Sequence, residues 1–264
     1  EHYIHSRKAS YLQIFNKNRL FSRYKLIQKS ECFPNNINEQ GKFLSHSSYF
    51  VCTKNGSCRF VSMLEPPILH PAVMFRADVI KRYKYKDSPE FYHIEALELW
   101  YRMLEGGEKC EIIPHYLLNY RDNQSSVCHS YNDVQVEHHL RFSKGNIESL
   151  LYLQIESSSL EIILTKRLKG NLQDLKKAFS LLSDIKDAYI KKYNGQLNRA
   201  EKKELETWCD QRKLAIVFTS MMRGQLSLRV RLMVYICTHP YLILSSNGLK
   251  YVKNRLIRLY NERA

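Results

Sequence analysis

Between residues 92 and 105 apolar side chains recur at helical spacing. Ile94, Leu97, Tyr101 and Leu104 make one stripe, widened by Trp100, and Glu95, Glu98, Arg102 and Glu105 make the stripe opposite. Gly106 and Gly107 end this predicted helix. Upstream, Glu65-Pro66-Pro67 reads as extended, because each proline fixes its own φ and biases its predecessor away from helix. The apolar run His70-Pro71-Ala72-Val73-Met74-Phe75-Arg76 suits a buried strand, 78–83 a helix and 84–89 a loop. Downstream, 111–114 and 116–121 read as a strand pair, followed by a polar loop at 122–126.

The flanking stretches read differently. Residues 1–65 are mixed: a helix is expected around 10–28, then a polar turn over Pro34-Asn35-Asn36-Ile37-Asn38. Residues 132–264 are mostly helical, with breaks near Gly170, Asn194-Gly195, Gly224 and 245–248. The expected class is therefore α/β: a partial sheet with flanking helices over 1–131, then a helical, basic region over 132–264. Within the first part, the order of strand, acidic helix start and strand ending in arginine suggests Glu95 and Arg121 on one rim of a sheet, where loops carry function.

Composition narrows the class. A chain of 264 residues with 44% hydrophobic content, 9 Gly and 7 Pro is neither collagen-like nor disordered. The longest uncharged apolar stretch, 232–244, falls short of the ~20 residues a spanning helix needs. No secretory signal is legible at the start, which lacks an initiator Met, so a removed leader or a longer parent chain is expected. Seven cysteines are scattered without a C-x-x-C pair, which points to a reducing compartment and a cytoplasmic location. Cys52 and Cys58, with His46 and His70 nearby, have a spacing that fits no common zinc knuckle.

The net charge of +15 is unevenly placed: residues 212–264 carry 10 basic side chains and 1 acidic one. Such a block faces phosphate or forms a solvated helix face. Over 249–260, Leu249, Val252, Leu256 and Leu259 lie on one side of a predicted helix, with Lys250, Lys253, Arg255 and Arg258 around the remainder. That pattern suits either the inner face of an anionic membrane, through 225–264, or packing of the stripe onto the protein body. A nucleic-acid-binding role has the charge and 18 tyrosines in its favour, but no recognisable module supports it.

Three blocks carry a resemblance. His70-Pro71-Ala72-Val73-Met74-Phe75-Arg76, then Ile94-Glu95-Ala96-Leu97-Glu98-Leu99-Trp100-Tyr101-Arg102, then Ile113-Pro114-His115-Tyr116-Leu117-Leu118-Asn119-Tyr120-Arg121 resemble, in order and spacing, the second half of family 2 glycosyltransferases. The resemblance covers roughly 65–130. It implies a GT-A-like fold and an inverting transfer of sugar from a nucleotide-sugar donor to a saccharide or lipid-linked acceptor, as in surface polysaccharide synthesis. Two departures stand out. The family's Asp-x-Asp, which holds a divalent metal (Mg or Mn) on the donor diphosphate, is absent, so the donor half and its metal are expected upstream of Glu1. The family's Glu-Asp pair, whose Asp is the base, reads Glu95-Ala96.

The resemblance assigns roles residue by residue. A base must lie within hydrogen-bond reach of the acceptor hydroxyl, and one helical step turns a side chain by about 100°. Glu95 is therefore the candidate catalytic carboxylate, an acceptor ligand, or a helix-start carboxylate favoured by the macrodipole. Arg76 and Arg121 end strands and offer forks for phosphate or sugar-acid oxygens. Asn123 stands where relatives often carry His. Glu98 either meets substrate or pairs with Arg102, and Trp100 lines an acceptor pocket or fills the core. His70 is a substrate contact or a satisfied buried histidine. Loss of the family's base also leaves open a catalytically inactive protein on the same scaffold.

Overall fold

The computed structural model describes residues 29–46, 52–121, 132–223, 226–244, 248–249 and 252–253. The helix expected at 10–28, the loop holding Asn123 and most of the helix expected at 249–260 lie outside the described residues. Among those residues the fold is mostly helical with one small mixed sheet.

The sheet is organised by β1 (Lys29–Ile37). β4 (Cys110–Arg121) runs parallel to it, from Lys29 opposite Cys110 to Ile37 opposite Arg121. The other edge of β1 is shared by two antiparallel partners: β3 (Val73–Phe75) pairs with Lys29–Glu31, and β2 (Phe43–His46) pairs with Asn35–Ile37. Between β1 and β2 the chain turns at Asn38, whose carbonyl accepts from the Gly41 amide and whose side-chain oxygen accepts from the Lys42 amide, with Gly41 at φ +85.

Three expectations change here. The polar turn expected at 34–38 begins only at Asn38, because β1 continues through Pro34. A proline lacks an N–H to donate, and the pairing with β4 shifts register between Phe33 and Pro34, at an irregularity. The strand pair expected over 111–121 is one twelve-residue strand. Its Pro114 and His115 are passed over by a second register shift, with Ile113 opposite Cys32 and Tyr116 opposite Phe33. The run from His70 to Arg76 is not a buried strand: Pro71 starts a 3-10 turn over His70–Ala72, and only Val73–Phe75 is extended, with Met74 exposed.

Nine helices follow in chain order among the described residues: α1 (Asn55–Val61), α2 (Ala77–Tyr83), α3 (Glu95–Glu105), α4 (Asn132–Leu151), α5 (Ser157–Thr165), α6 (Leu172–Lys192), α7 (Arg199–Arg223), α8 (Leu226–Thr238) and α9 (Tyr241–Leu244). α6 opens with a full capping box: Asn171 Oδ1 accepts from the amides of Gln173 and Asp174, and Asp174 Oδ2 accepts from the Asn171 amide. Such a cap is worth about 1 kcal/mol. Asn198 and Glu201 repeat the device at α7.

One continuous core joins the sheet region to the helices, from Phe60, Leu64, Trp100 and Met103 to Ile163, Leu182, Tyr189, Trp208 and Ile216. Phe60 sits at its centre, edge-on to Tyr189 at 5.2 Å and to Trp208 at 5.6 Å. Polar groups lock the same junction. Glu201 Oε1 of α7 accepts from the Gly56 amide at 2.8 Å, and Tyr189 donates its hydroxyl to the Gly56 carbonyl at 2.8 Å. Glu204, one turn on, accepts from the Lys54 amide and from the Thr53 and Ser57 hydroxyls. The open backbone amides at the start of α1 are thus satisfied by α7 carboxylates.

Candidate functional site

The start of α3 is held in place from outside. In the segment leading into it, 89–94, the carbonyls of Pro89, Phe91 and Ile94 accept from local backbone amides, and α4 supplies side-chain donors to those of Glu90, Tyr92 and His93. Gln135 Nε2 donates to the His93 carbonyl at 2.7 Å, His138 Nδ1 to the Tyr92 carbonyl at 2.8 Å, and Arg141 to the Glu90 carbonyl at 3.2 Å. The three side chains stand three residues apart on one face of α4, so a single helix face straps the entry to α3. His93 takes φ +70 within this segment. Glu95, the first helical residue, emerges exposed from the strapped end, where the helix N-terminus favours its negative charge. Ala96 packs half-buried against the core.

A second segment is fixed beside it. Glu98 is expected on the outer, polar stripe of α3, yet it is 3% exposed. Arg102 reaches its two oxygens at 2.8 and 2.9 Å, and Lys86 makes a 3.0 Å ion pair with it. The same Arg102 donates to the carbonyls of Tyr83 and Lys84, and Lys86 lies over the Phe91 ring at 4.7 Å. Burial alone raises a carboxyl's pKa, but the hydrogen bonds from Arg102 and Lys86 outweigh it and hold Glu98 below its ordinary value. Glu98 therefore anchors the 84–88 loop through charge partners contributed by that loop and by its own helix.

This anchored loop carries Tyr85. Its hydroxyl shares a 2.6 Å hydrogen bond with Nε2 of His70, which stands on the 3-10 turn before β3. The His70 ring lies edge-on to Tyr85 at 5.8 Å and tilted against Trp100 at 5.8 Å. Desolvation, and then the negative charge of Glu95, push the Tyr85 phenol up to about 12. It is a hydrogen-bond donor at any physiological pH. Trp100 is fully buried, stacked on Phe75 at 5.4 Å, and donates its indole N–H to the Ile68 carbonyl at 3.1 Å. It backs the site as a wall behind His70.

The structure thus joins Tyr85 to His70 at the surface, against Trp100, with Glu95 near enough for its charge to act on the Tyr85 phenol. The two arginines sit elsewhere. Arg76 forms a two-point pair with Asp78, at 3.1 and 3.3 Å, at the start of α2. Arg121 ends β4 and donates to the carbonyls of Asn38 and Glu39, bracing the turn between β1 and β2. The pairing of Val73 with Glu31 and that of Arg121 with Ile37 lie six residues apart on β1, roughly 20 Å of strand. Among the described residues no group of three His, Cys, Asp or Glu side chains is placed to hold a metal ion.

Sequence reasoning missed four of these residues. Tyr85 lies in a loop whose polar composition gives no periodic signal, and Gln135, His138 and Arg141 bind backbone carbonyls, which leave no mark on the partner's sequence. Their common three-residue spacing is the one sign they carry. What the arrangement offers chemically is a protonated phenol bonded to an imidazole, backed by an aromatic wall, with an exposed carboxylate whose charge reaches the phenol. No family model, no curated protein and no solved structure matches this chain.

Proposed function

We propose that this chain is the acceptor side of a sugar-transferring enzyme resembling family 2 glycosyltransferases, and that the surface carrying Glu95, Tyr85 and His70 binds the hydroxyls of a saccharide acceptor. The observation that supports this reading is the hydrogen bond between Tyr85 and His70, drawn from a loop and a turn, beside the charge of Glu95 at a helix start. Neighbouring sugar hydroxyls both donate and accept, and the trio offers a carboxylate that accepts, a phenol that donates and an imidazole that does either. In the transfer, Glu95 takes the acceptor proton as the hydroxyl oxygen bonds to the anomeric carbon, and the bond from that carbon to the nucleoside diphosphate breaks. The GT-A-like relationship of the sheet belongs to the same proposal.

Ala96 favours a second reading. The position of the family's base faces the core and carries no ionisable group, so the same surface serves equally in a protein that holds saccharide without transferring it.

Titration of the chain with a panel of oligosaccharides, followed by calorimetry or saturation-transfer NMR, tests the common part. Saturable binding that Glu95→Gln and His70→Ala each weaken at least tenfold, with the melting curve unchanged, is expected. Binding indifferent to both substitutions overturns the assignment, as does no saccharide binding at all. Incubation with radiolabelled nucleotide sugars then separates the readings: transfer abolished by Glu95→Gln marks an enzyme, and retained binding without transfer marks a saccharide-holding protein.

A further inference from the structure

α8 presents two different faces. Leu232 and Tyr235 are buried, Leu228 and Ile236 pack against the core, and Tyr235 meets Phe179 of α6 edge-on at 6.4 Å. The other face is also apolar but faces solvent: Val230 is 53% exposed, Met233 is 60% exposed, and Cys237 completes the same stripe at helical spacing. Past Pro240 the surface continues on α9 with Tyr241 and Leu244, at 62% and 67% exposure. Arg229 and Arg231 flank the stripe and are exposed. Scattered exposed apolar residues are ordinary, but a run of five in fifteen residues, bordered by arginines, is an interaction surface.

We propose that this outer face of α8 and α9 seats the protein on an anionic lipid bilayer. The charge balance selects that occupant: α8 and α9 carry the exposed Arg229 and Arg231 and no acidic side chain, so the surface complements phosphate. The apolar stripe distinguishes lipid from nucleic acid, whose phosphate backbone is met by cations and has no use for Met233 or Leu244 at the contact. The side chains of the stripe enter the boundary between headgroups and acyl chains, and Arg229 and Arg231 stay at headgroup level. No helix among the described residues is long and apolar enough to cross a membrane, so the contact is a surface one. The surface forms on α8 and α9, ahead of the 249–260 segment to which the sequence pattern points, and it stands independently of the saccharide reading.

Co-sedimentation with vesicles tests it, using 30:70 phosphatidylglycerol:phosphatidylcholine vesicles, pure phosphatidylcholine vesicles and duplex DNA as the three probes. Binding to the anionic vesicles alone is expected, falling as salt is raised. Arg229→Gln combined with Arg231→Gln should lower the partition constant roughly 20-fold, about fivefold for each arginine. Val230→Asp combined with Met233→Asp should abolish binding while leaving the melt unchanged, because both positions already face water. On the unsubstituted chain, iodoacetamide modification of Cys237, followed by peptide mass spectrometry, should slow when anionic vesicles are added. Equal binding to neutral vesicles, binding to DNA alone, concentration-dependent self-association through this face, or unchanged partition of the aspartate variant would each overturn the proposal.

Discussion

The Tyr85 hydroxyl and His70 Nε2 lie 2.6 Å apart, joined across fifteen residues of chain. The bond exists because the 84–88 loop is anchored at its base by Arg102 and Lys86 on Glu98, which leaves Tyr85 little freedom to swing away. Tyr85→Phe removes the hydroxyl and keeps the ring. Since Tyr85 is 42% exposed, stability should be unchanged, while saccharide affinity should fall roughly fivefold to tenfold, the worth of one hydrogen bond. With the phenol pushed up to about 12, Tyr85 keeps its own proton through neutral pH, and its ionisation should remove this contribution only in strong alkali. Calorimetric titration of both proteins across pH checks this.

Glu65 gives the fold its acid sensitivity. It pairs with Arg212 and Lys166 and accepts from the Trp208 indole N–H at 3.1 Å, with Arg212 lying over the Trp208 ring at 4.6 Å. Burial alone raises the carboxyl, but the charges of Arg212 and then Lys166 prevail and hold it at about 2 against an ordinary 4.5. A depressed folded-state pKa stabilises the native state above the unfolded value, and that stabilisation is lost as pH falls toward 2. The shift corresponds to roughly 3 kcal/mol. Glu65→Gln should therefore lower stability at pH 7 by about that amount and flatten the decline between about pH 5 and pH 2, read from urea melts at a series of pH values.

Gly56 is the point where α7 and α6 meet α1. A methyl group added there would run into Leu197 Cδ2 and stand 2.9 Å from Glu201 Oε1. Relief of that clash moves Glu201 off the Gly56 amide and disturbs the hydrogen bond from Tyr189 to the Gly56 carbonyl. Gly56→Ala should cost about 1–3 kcal/mol, with a lower denaturation midpoint and an unchanged slope if the junction unfolds as one unit with the rest.

Local rules and distant partners explain which parts of this architecture are legible in the chain. The stripe of Ile94, Leu97 and Leu104 is buried as its period requires, and Gly107 takes φ +86 just past the helix end. Glu98 breaks the same rule because periodicity counts any carboxylate as solvated, whereas a carboxylate with Lys86 and Arg102 on its oxygens is buried without penalty enough to expel it. β1 is hidden because Pro34-Asn35-Asn36 is turn chemistry by composition. The flanking strand β4 and the register shift at Pro34 override it. Of the candidate site, Glu95 and His70 are legible as residue types, but Tyr85 depends on an anchor twelve residues downstream of Lys86, which no window of local pattern covers.

The strap from α4 makes the last and most specific prediction. Gln135, His138 and Arg141 hold the carbonyls of His93, Tyr92 and Glu90, and so act on Glu95 through the backbone that leads into it. They are positioning residues. Gln135→Ala combined with His138→Ala should leave α3 helical, because its buried face of Leu97, Trp100 and Leu104 is untouched. The freed carbonyls reach water, so the loss in global stability should stay near 1 kcal/mol. What should change is local order: amides of 90–95 should lose hydrogen-exchange protection by tenfold or more, while those of 97–104 keep theirs. Saccharide affinity should fall with them, and Gln135→Glu, which keeps the length of the side chain but not its donor, should not restore it. Unchanged exchange at 90–95 in the double variant would show that the entry to α3 is held by its own turn and not by α4.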